Sequence, residues 1–148
     1  PAMWFPSPMS IAIDAVLHEQ VVKRMWPLRE LVDAGALLSA GSDWPCALPT
    51  PDPWVGIETM VTRANPDPAF PGTLNPDQAL TLGEVIRVYT HNPAVAMGLG
   101  EVTGSIEVGK AADFIVLDRN LFEIEPRDVH RTRVEQTWFG GRLVHEAA

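Results

Sequence analysis

The sequence predicts an α/β fold with a helix-rich first part and a strand-rich end, and three observations carry that prediction. Residues 26–41 read as helix, tight turn and strand, which is one step of a parallel α/β protein. Up to Gly100 the apolar positions recur mostly at helical spacing. Beyond Gly100 they come in short runs bounded by glycine and turn residues, the pattern of strands. Helices followed by strands imply two structural regions, 1–100 and 101–148.

Residues 1–10 hold three prolines and two aromatics, a density of fixed φ angles and missing donors that predicts an irregular loop. From Ile11 to Met25 the residues Ile13, Val16, Leu17, Val21 and Met25 fit one helix. The next helix is better marked: Pro27 suits its first turn, Leu28, Leu31 and Val32 share a face, and Gly35 stops it. It leads directly into a strand, Leu37 to Gly41. After a proline-rich stretch, Trp54, Ile57, Met60 and Val61 predict a helix over 54–63. Residues 64–75 form a second proline-and-glycine loop, and Asn75 or Thr73 could cap a helix over 76–90. Asn92-Pro93 restarts the chain into a short helix, 94–97, ended by Gly98 and Gly100. Residues 105–110 then read as a short strand and turn, 112–118 as a buried strand, and 134–139 with 142–145 as a hairpin around Gly140-Gly141.

At 148 residues the chain is long enough for one domain with a substantial core. It is 46% hydrophobic and 20% charged, and no apolar run approaches the roughly 18 residues of a membrane helix. Nineteen acidic against eleven basic side chains give a net charge of −8, which disfavours nucleic acid and anionic membranes as partners. A single cysteine, Cys46, precludes an intrachain disulfide and fits a reducing cytoplasm. The opening residues resemble neither a signal peptide nor a translation start, so a longer parent protein is expected.

Within A-L-L-S-A-G-S-D-W-P, residues 36–45, Asp43 follows the predicted strand and the small pair Gly41-Ser42. The carboxyl ends of strands are where parallel α/β folds collect catalytic groups. A carboxylate there needs a metal, an arginine or several donors if buried; equally, an aspartate can cap the following turn. His18, His91, His130 and His145 lack H-x-H or H-E-x-x-H spacing, so they build no local metal site and read as surface or packing residues. His91-Asn92-Pro93 reads as a helix-capping junction. Cys46 has no neighbouring base to activate it. Glu58, Glu84 and Glu101 read as solvated charges, and Asp113 and Asp118 as turn residues fencing a strand. Gly98-Leu99-Gly100 with Gly104 lacks the strand and helix of a dinucleotide fingerprint.

Residues 104–118, G-S-I-E-V-G-K-A-A-D-F-I-V-L-D, resemble the C-terminal signature of the metal-dependent amidohydrolase superfamily. P-L-R-E-L-V-D-A-G, G-S-D-W-P and L-T-L-G-E-V-I-R-V-Y-T-H-N-P-A agree with it in order and spacing. Together they look like amidohydrolase family 3, its YtcJ-like and exoenzyme-regulatory-protein-like branch. The resemblance implies the C-terminal piece of a (β/α)8 TIM-type barrel, with its last strand and helices in residues 1–100. Part of a small composite β-sandwich would follow in 101–148. It further implies a divalent metal, zinc being the expected ion, at the mouth of the barrel, and a small amide or cyclic amide substrate cut at a carbon–nitrogen bond. Asp43 matches the aspartate after the eighth strand, which touches the metal, takes a proton from the attacking water and passes it to the leaving nitrogen. The H-x-H pair and the later histidines of the family have no counterpart in this chain, so it should be inactive alone and bind no metal. Open edges should make it self-associate, which light scattering would detect. Trp44, Trp54 and Phe70 could line a substrate pocket. The alternatives are a non-catalytic interaction or regulatory domain derived from such an enzyme, and an active site assembled from two chains. An H-x-H segment upstream in the parent reading frame would favour the enzyme.

Overall fold

The computed structural model describes residues 6–45 and 50–148. Part of the predicted 1–10 loop, residues 1–5, and Cys46 lie outside the described residues.

Caps and glycine stops set most helix boundaries. Helix α1, Pro8–Asp14, starts where Ser7 and Ser10 form a reciprocal capping box around a proline in the first turn, so the predicted loop ends earlier than expected. The single helix expected from Ile11 to Met25 is in fact two, α1 and α2, Glu19–Val22. Three of the residues meant to form its apolar face, Val16, Leu17 and Val21, are exposed, Val16 at 79%, and a helix without a packed face lacks what sustains its length. His18 opens the second piece, its Nδ1 accepting the Gln20 N–H at 3.2 Å.

Helix α3, Leu28–Asp33, closes as the sequence predicts. Gly35 adopts φ +81°, and the N–H groups of Gly35 and Ala36 donate to Val32 O and Leu31 O, both at 2.9 Å, the paired bonds of a Schellman stop. Helix α4, Pro53–Thr62, is capped by Asp52, whose carboxylate accepts from the Trp54 N–H. The predicted 76–90 helix is split into a 3-10 turn, Pro76–Gln78, and α5, Leu82–Tyr89. Its cap is Thr81, in a capping box with Glu84, while the Asn75 amide donates to Val22 O and Met25 O instead. Helix α6, His91–Ala96, follows after Thr90 alone.

Strands β1, Phe114–Leu117, β2, Val134–Phe139, and β3, Arg142–Glu146, form one antiparallel sheet in the order β1-β2-β3. Ile115 pairs with Thr137 and Gln136 with Glu146, and the Phe114 ring stacks on Trp138 with centroids 5.6 Å apart. The hairpin turns at Gly140-Gly141, both at positive φ, as the sequence predicts. β1 is less buried than expected, with Ile115 46% exposed, because it is an edge strand. Residues 105–110 form a turn and no strand: the Lys110 ammonium reaches back to Ser105 Oγ at 2.7 Å and to Glu107 at 3.1 Å.

One core joins both parts of the chain. Leu28, Trp54, Ile57, Met60, Val85 and Val88 pack with Leu121 and Val129, and α4 lies against the 3-10 helix Pro126–Arg131. Arg29 Nη1 donates to both carboxylate oxygens of Glu84, at 2.9 and 3.0 Å, and fastens α3 to α5. No helix among the described residues is long and apolar enough to cross a membrane.

Candidate functional site

Asp43 stands at the end of an extended segment running out of the α3 stop. Over 37–42 exposure alternates strictly: Leu38, Ala40 and Ser42 are half-buried, while Leu37, Ser39 and Gly41 are exposed. That period of two is the signature of extended backbone with one face on a core, and Leu38 and Ala40 do pack against it. The segment is nevertheless no ladder strand, as Leu37 to Gly41 was expected to be. A strand is defined by its hydrogen-bonded neighbours, and among the described residues no other strand lies beside this one. Among the described residues two hydrogen bonds hold it instead, both from the α5–α6 junction. The Ala40 N–H donates to Val88 O at 3.3 Å, and the Asn92 side-chain amide donates to Leu38 O at 2.9 Å.

Asp43 itself has φ +55°, in the left-handed region that aspartate tolerates better than most side chains, and it is exposed. Among the described residues its carboxylate accepts no hydrogen bond and makes no ion pair. The local turn is served by its neighbour, with the Trp44 N–H donating to Ser42 Oγ at 3.2 Å. The carboxylate is therefore uncommitted, and an uncommitted oxygen donor suits one corner of a divalent metal site. Among the described residues no group of three or more His, Cys, Asp or Glu side chains could complete such a site.

The other residues singled out by sequence lie elsewhere. His91 is half-buried, its Nδ1 enclosed and without a hydrogen-bond partner among the described residues. Beside it, a cleft of about 550 Å³ opens between the α5–α6 junction and residues 103–107. Trp54 is 6% exposed and belongs to the core rather than to a mouth, whereas Trp44 is 54% exposed. Glu58 and Glu84 are not the solvated charges they were expected to be. Glu58 is 2% exposed and is paired with His130. Glu84 joins Thr81 to Arg29; burial works against its charge, but the bonds from Thr81 and Arg29 prevail and hold it below the usual carboxylate range. Glu101 is exposed as expected.

The 104–118 signature folds into a clasp rather than a reactive site. Gly104, at φ +90°, lies so close to α6 that a Cβ would sit 2.6 Å from Ala94 Cβ. Asp113 accepts from Thr103 Oγ1 at 2.8 Å and from the Gly140 N–H at 2.7 Å, tying the hairpin tip to the turn before β1. Asp118 performs the same service at the other end of β1, accepting from the Arg133 N–H at 3.0 Å. Both acids do more than fence a strand.

Comparison with known proteins places the chain in a family. The amidohydrolase family model matches residues 1–145, and the chain belongs to that family. An N-substituted formamide deformylase from Arthrobacter pascens is 37% identical over 123 residues, covering 83% of this chain and 22% of the deformylase. The putative amidohydrolase YtcJ from Bacillus subtilis (strain 168) is 30% identical over 130 residues, covering 88% of this chain and 24% of that protein. The chain thus spans about a quarter of the length of these relatives. A crystal structure of an amidohydrolase from Thermotoga maritima MSB8 superposes with a TM-score of 0.59 at 24% identity, over 81% of this chain and 26% of that one, a likeness of fold.

Asn92 and Glu58 are the residues that sequence reading undervalued. Asn92 reads from sequence as part of a capping junction, whereas it lies in the first turn of α6, whose cap residue Thr90 makes no side-chain capping bond. For Glu58 a signal existed: it is the only charged side chain in the ten residues of α4, and a helix apolar nearly all round is buried, which leaves its one acid little access to solvent.

Proposed function

We propose that the chain is the C-terminal part of a metal-dependent hydrolase that cuts carbon–nitrogen bonds in small amides or cyclic amides, with Asp43 as general base. Residues 1–100 would be the end of a TIM-type barrel and 101–148 a segment of a β-sandwich. The observation that carries the reading is the Asp43 carboxylate, exposed and uncommitted at the end of an extended segment, in a member of the amidohydrolase family. The deformylase relative supports an N-substituted amide as substrate class.

Asp43 would supply one oxygen ligand to a divalent metal, zinc being the expected ion, and the metal would lend Lewis acidity at the scissile carbonyl. The proton chemistry belongs to the carboxylate. An Asp43 oxygen accepts a proton from the attacking water and returns it to the departing nitrogen, so that an amine rather than an amide anion leaves. The left-handed turn at Asp43 and the small neighbours Gly41 and Ser42 keep its approach open. With one such ligand among its described residues, the chain alone is inactive in this reading.

The test uses the full-length protein and a panel of N-substituted formamides and cyclic amides. Asp43→Asn keeps shape but cannot hold the proton, and kcat should fall at least about 100-fold. Wild-type turnover in that variant removes Asp43 from the mechanism.

A further inference from the structure

The two bonds that hold the 37–42 segment have a specific pattern. In a parallel ladder, one residue of a strand donates its N–H to the carbonyl of residue i−1 on its neighbour and accepts at its own carbonyl from the N–H of residue i+1. Here i is Ser39: Leu38 O and Ala40 N–H are the two groups engaged. The donor is the Asn92 side-chain amide and the acceptor is Val88 O, a carbonyl in the last turn of α5, where helical partners run out. The α5–α6 junction thus imitates a single residue of a parallel strand. The junction can do so because Thr90, between the helices, departs from helical dihedrals at φ −125°, ψ −82°.

We infer that Asn92 is a positioning residue for Asp43. Its amide sets the register of the extended segment against α5 and α6, and that register places the carboxylate five residues further on. No other side chain among the described residues bonds to the backbone of residues 37–41, and the remaining bond, from Ala40, is the longer of the two. Small displacements of a catalytic group suffice to matter, since about 1 Å can cost about 100-fold in rate. This inference rests on Asp43 being the base.

The test compares Asn92→Asp, Asn92→Gln and Asp43→Asn in the full-length, metal-loaded protein, by steady-state kinetics on an N-substituted formamide and by amide hydrogen exchange. Asn92→Asp preserves size but presents a carboxylate to Leu38 O where a donor is needed. It should speed exchange over residues 37–45 selectively and lower kcat about tenfold with KM within twofold of wild type. Asn92→Gln, which retains an amide donor, should recover part of both. Asp43→Asn should lose at least 100-fold in kcat with unchanged exchange in that segment. Exchange in Asn92→Asp that is unchanged, or that rises across the whole chain, overturns the inference and leaves the reading of Asp43 intact. So does faster local exchange without loss of kcat, provided Asp43→Asn is inactive. An active Asp43→Asn overturns the reading of Asp43, and the positioning role falls with it.

Discussion

Glu58 Oε2 lies 2.7 Å from the Nδ1 of His130 and also accepts the His130 backbone N–H at 2.8 Å. One buried oxygen on α4 therefore serves two nitrogens of a residue 72 positions later, in the 3-10 helix Pro126–Arg131. At 2.7 Å a ring nitrogen and a carboxyl oxygen must share a hydrogen, so the contact is a bond and not a near approach. It joins the helical part of the chain to the strand-rich part, in the middle of the interface that α4 makes with residues 126–131.

Removing either partner should loosen that junction, and unequally. Glu58→Ala strips the acceptor from two donors and opens space in the core, at a cost of about 3 to 5 kcal/mol. His130→Ala keeps the backbone bond and should cost about 1.5 to 3 kcal/mol. Urea unfolding of the two variants beside wild type gives the order directly. Equal and small losses would show that the pair is incidental to stability.

The same residue illustrates where the sequence is readable and where it is not. Local signals predict well: the proline and glycine around α3, the spacing of apolar residues in α4 and the Gly140-Gly141 hairpin all appear as expected. The division of residues 76–90 was also written locally, since Thr81-Leu82-Gly83-Glu84 is a capping-box pattern that outweighs the continuous helical periodicity around it. What local pattern cannot supply is the partner. Whether 37–41 becomes a ladder strand depends on neighbours far away in sequence, and Glu58 is buried because a histidine 72 residues on accepts its company. Asp43 shares this limit: family resemblance singles it out, and its local surroundings show only that the carboxylate is free.

Gly104 offers a test of the clasp formed by the 104–118 signature. A methyl there would meet Ala94 Cβ at 2.6 Å, His91 Cα at 3.2 Å and Thr90 O at 3.2 Å, at a φ of +90° that side chains rarely adopt. Gly109 has a similar φ of +95°, with nothing within 4 Å of a Cβ. Gly104→Ala should therefore suffer both backbone strain and overpacking, about 2 to 5 kcal/mol together, and Gly109→Ala the strain alone, about 1 to 2 kcal/mol. Thermal unfolding of the pair separates the contributions. If both melt alike, residues 104–105 are not pressed against α6 as tightly as the geometry requires.

Asp118 makes the strand-rich end sensitive to acid. The Arg119 guanidinium, bonded to both carboxylate oxygens at 2.9 and 2.6 Å, and the Arg133 N–H bring its carboxyl down from 3.8 to about 2. A carboxyl whose folded value lies below its unfolded one binds its proton more readily when the chain is unfolded. The stabilisation is thus fully present above about pH 4 and is lost as the pH falls from there through about 2. Asp118→Asn removes that titration, and with it part of the acid slope. Unfolding free energy measured between pH 5 and 2 should fall less steeply for the variant than for wild type, the two curves converging at the acid end. Parallel curves across that window would mean that the Asp118 contacts to Arg119 and Arg133 do not hold the anchor of β1 in solution.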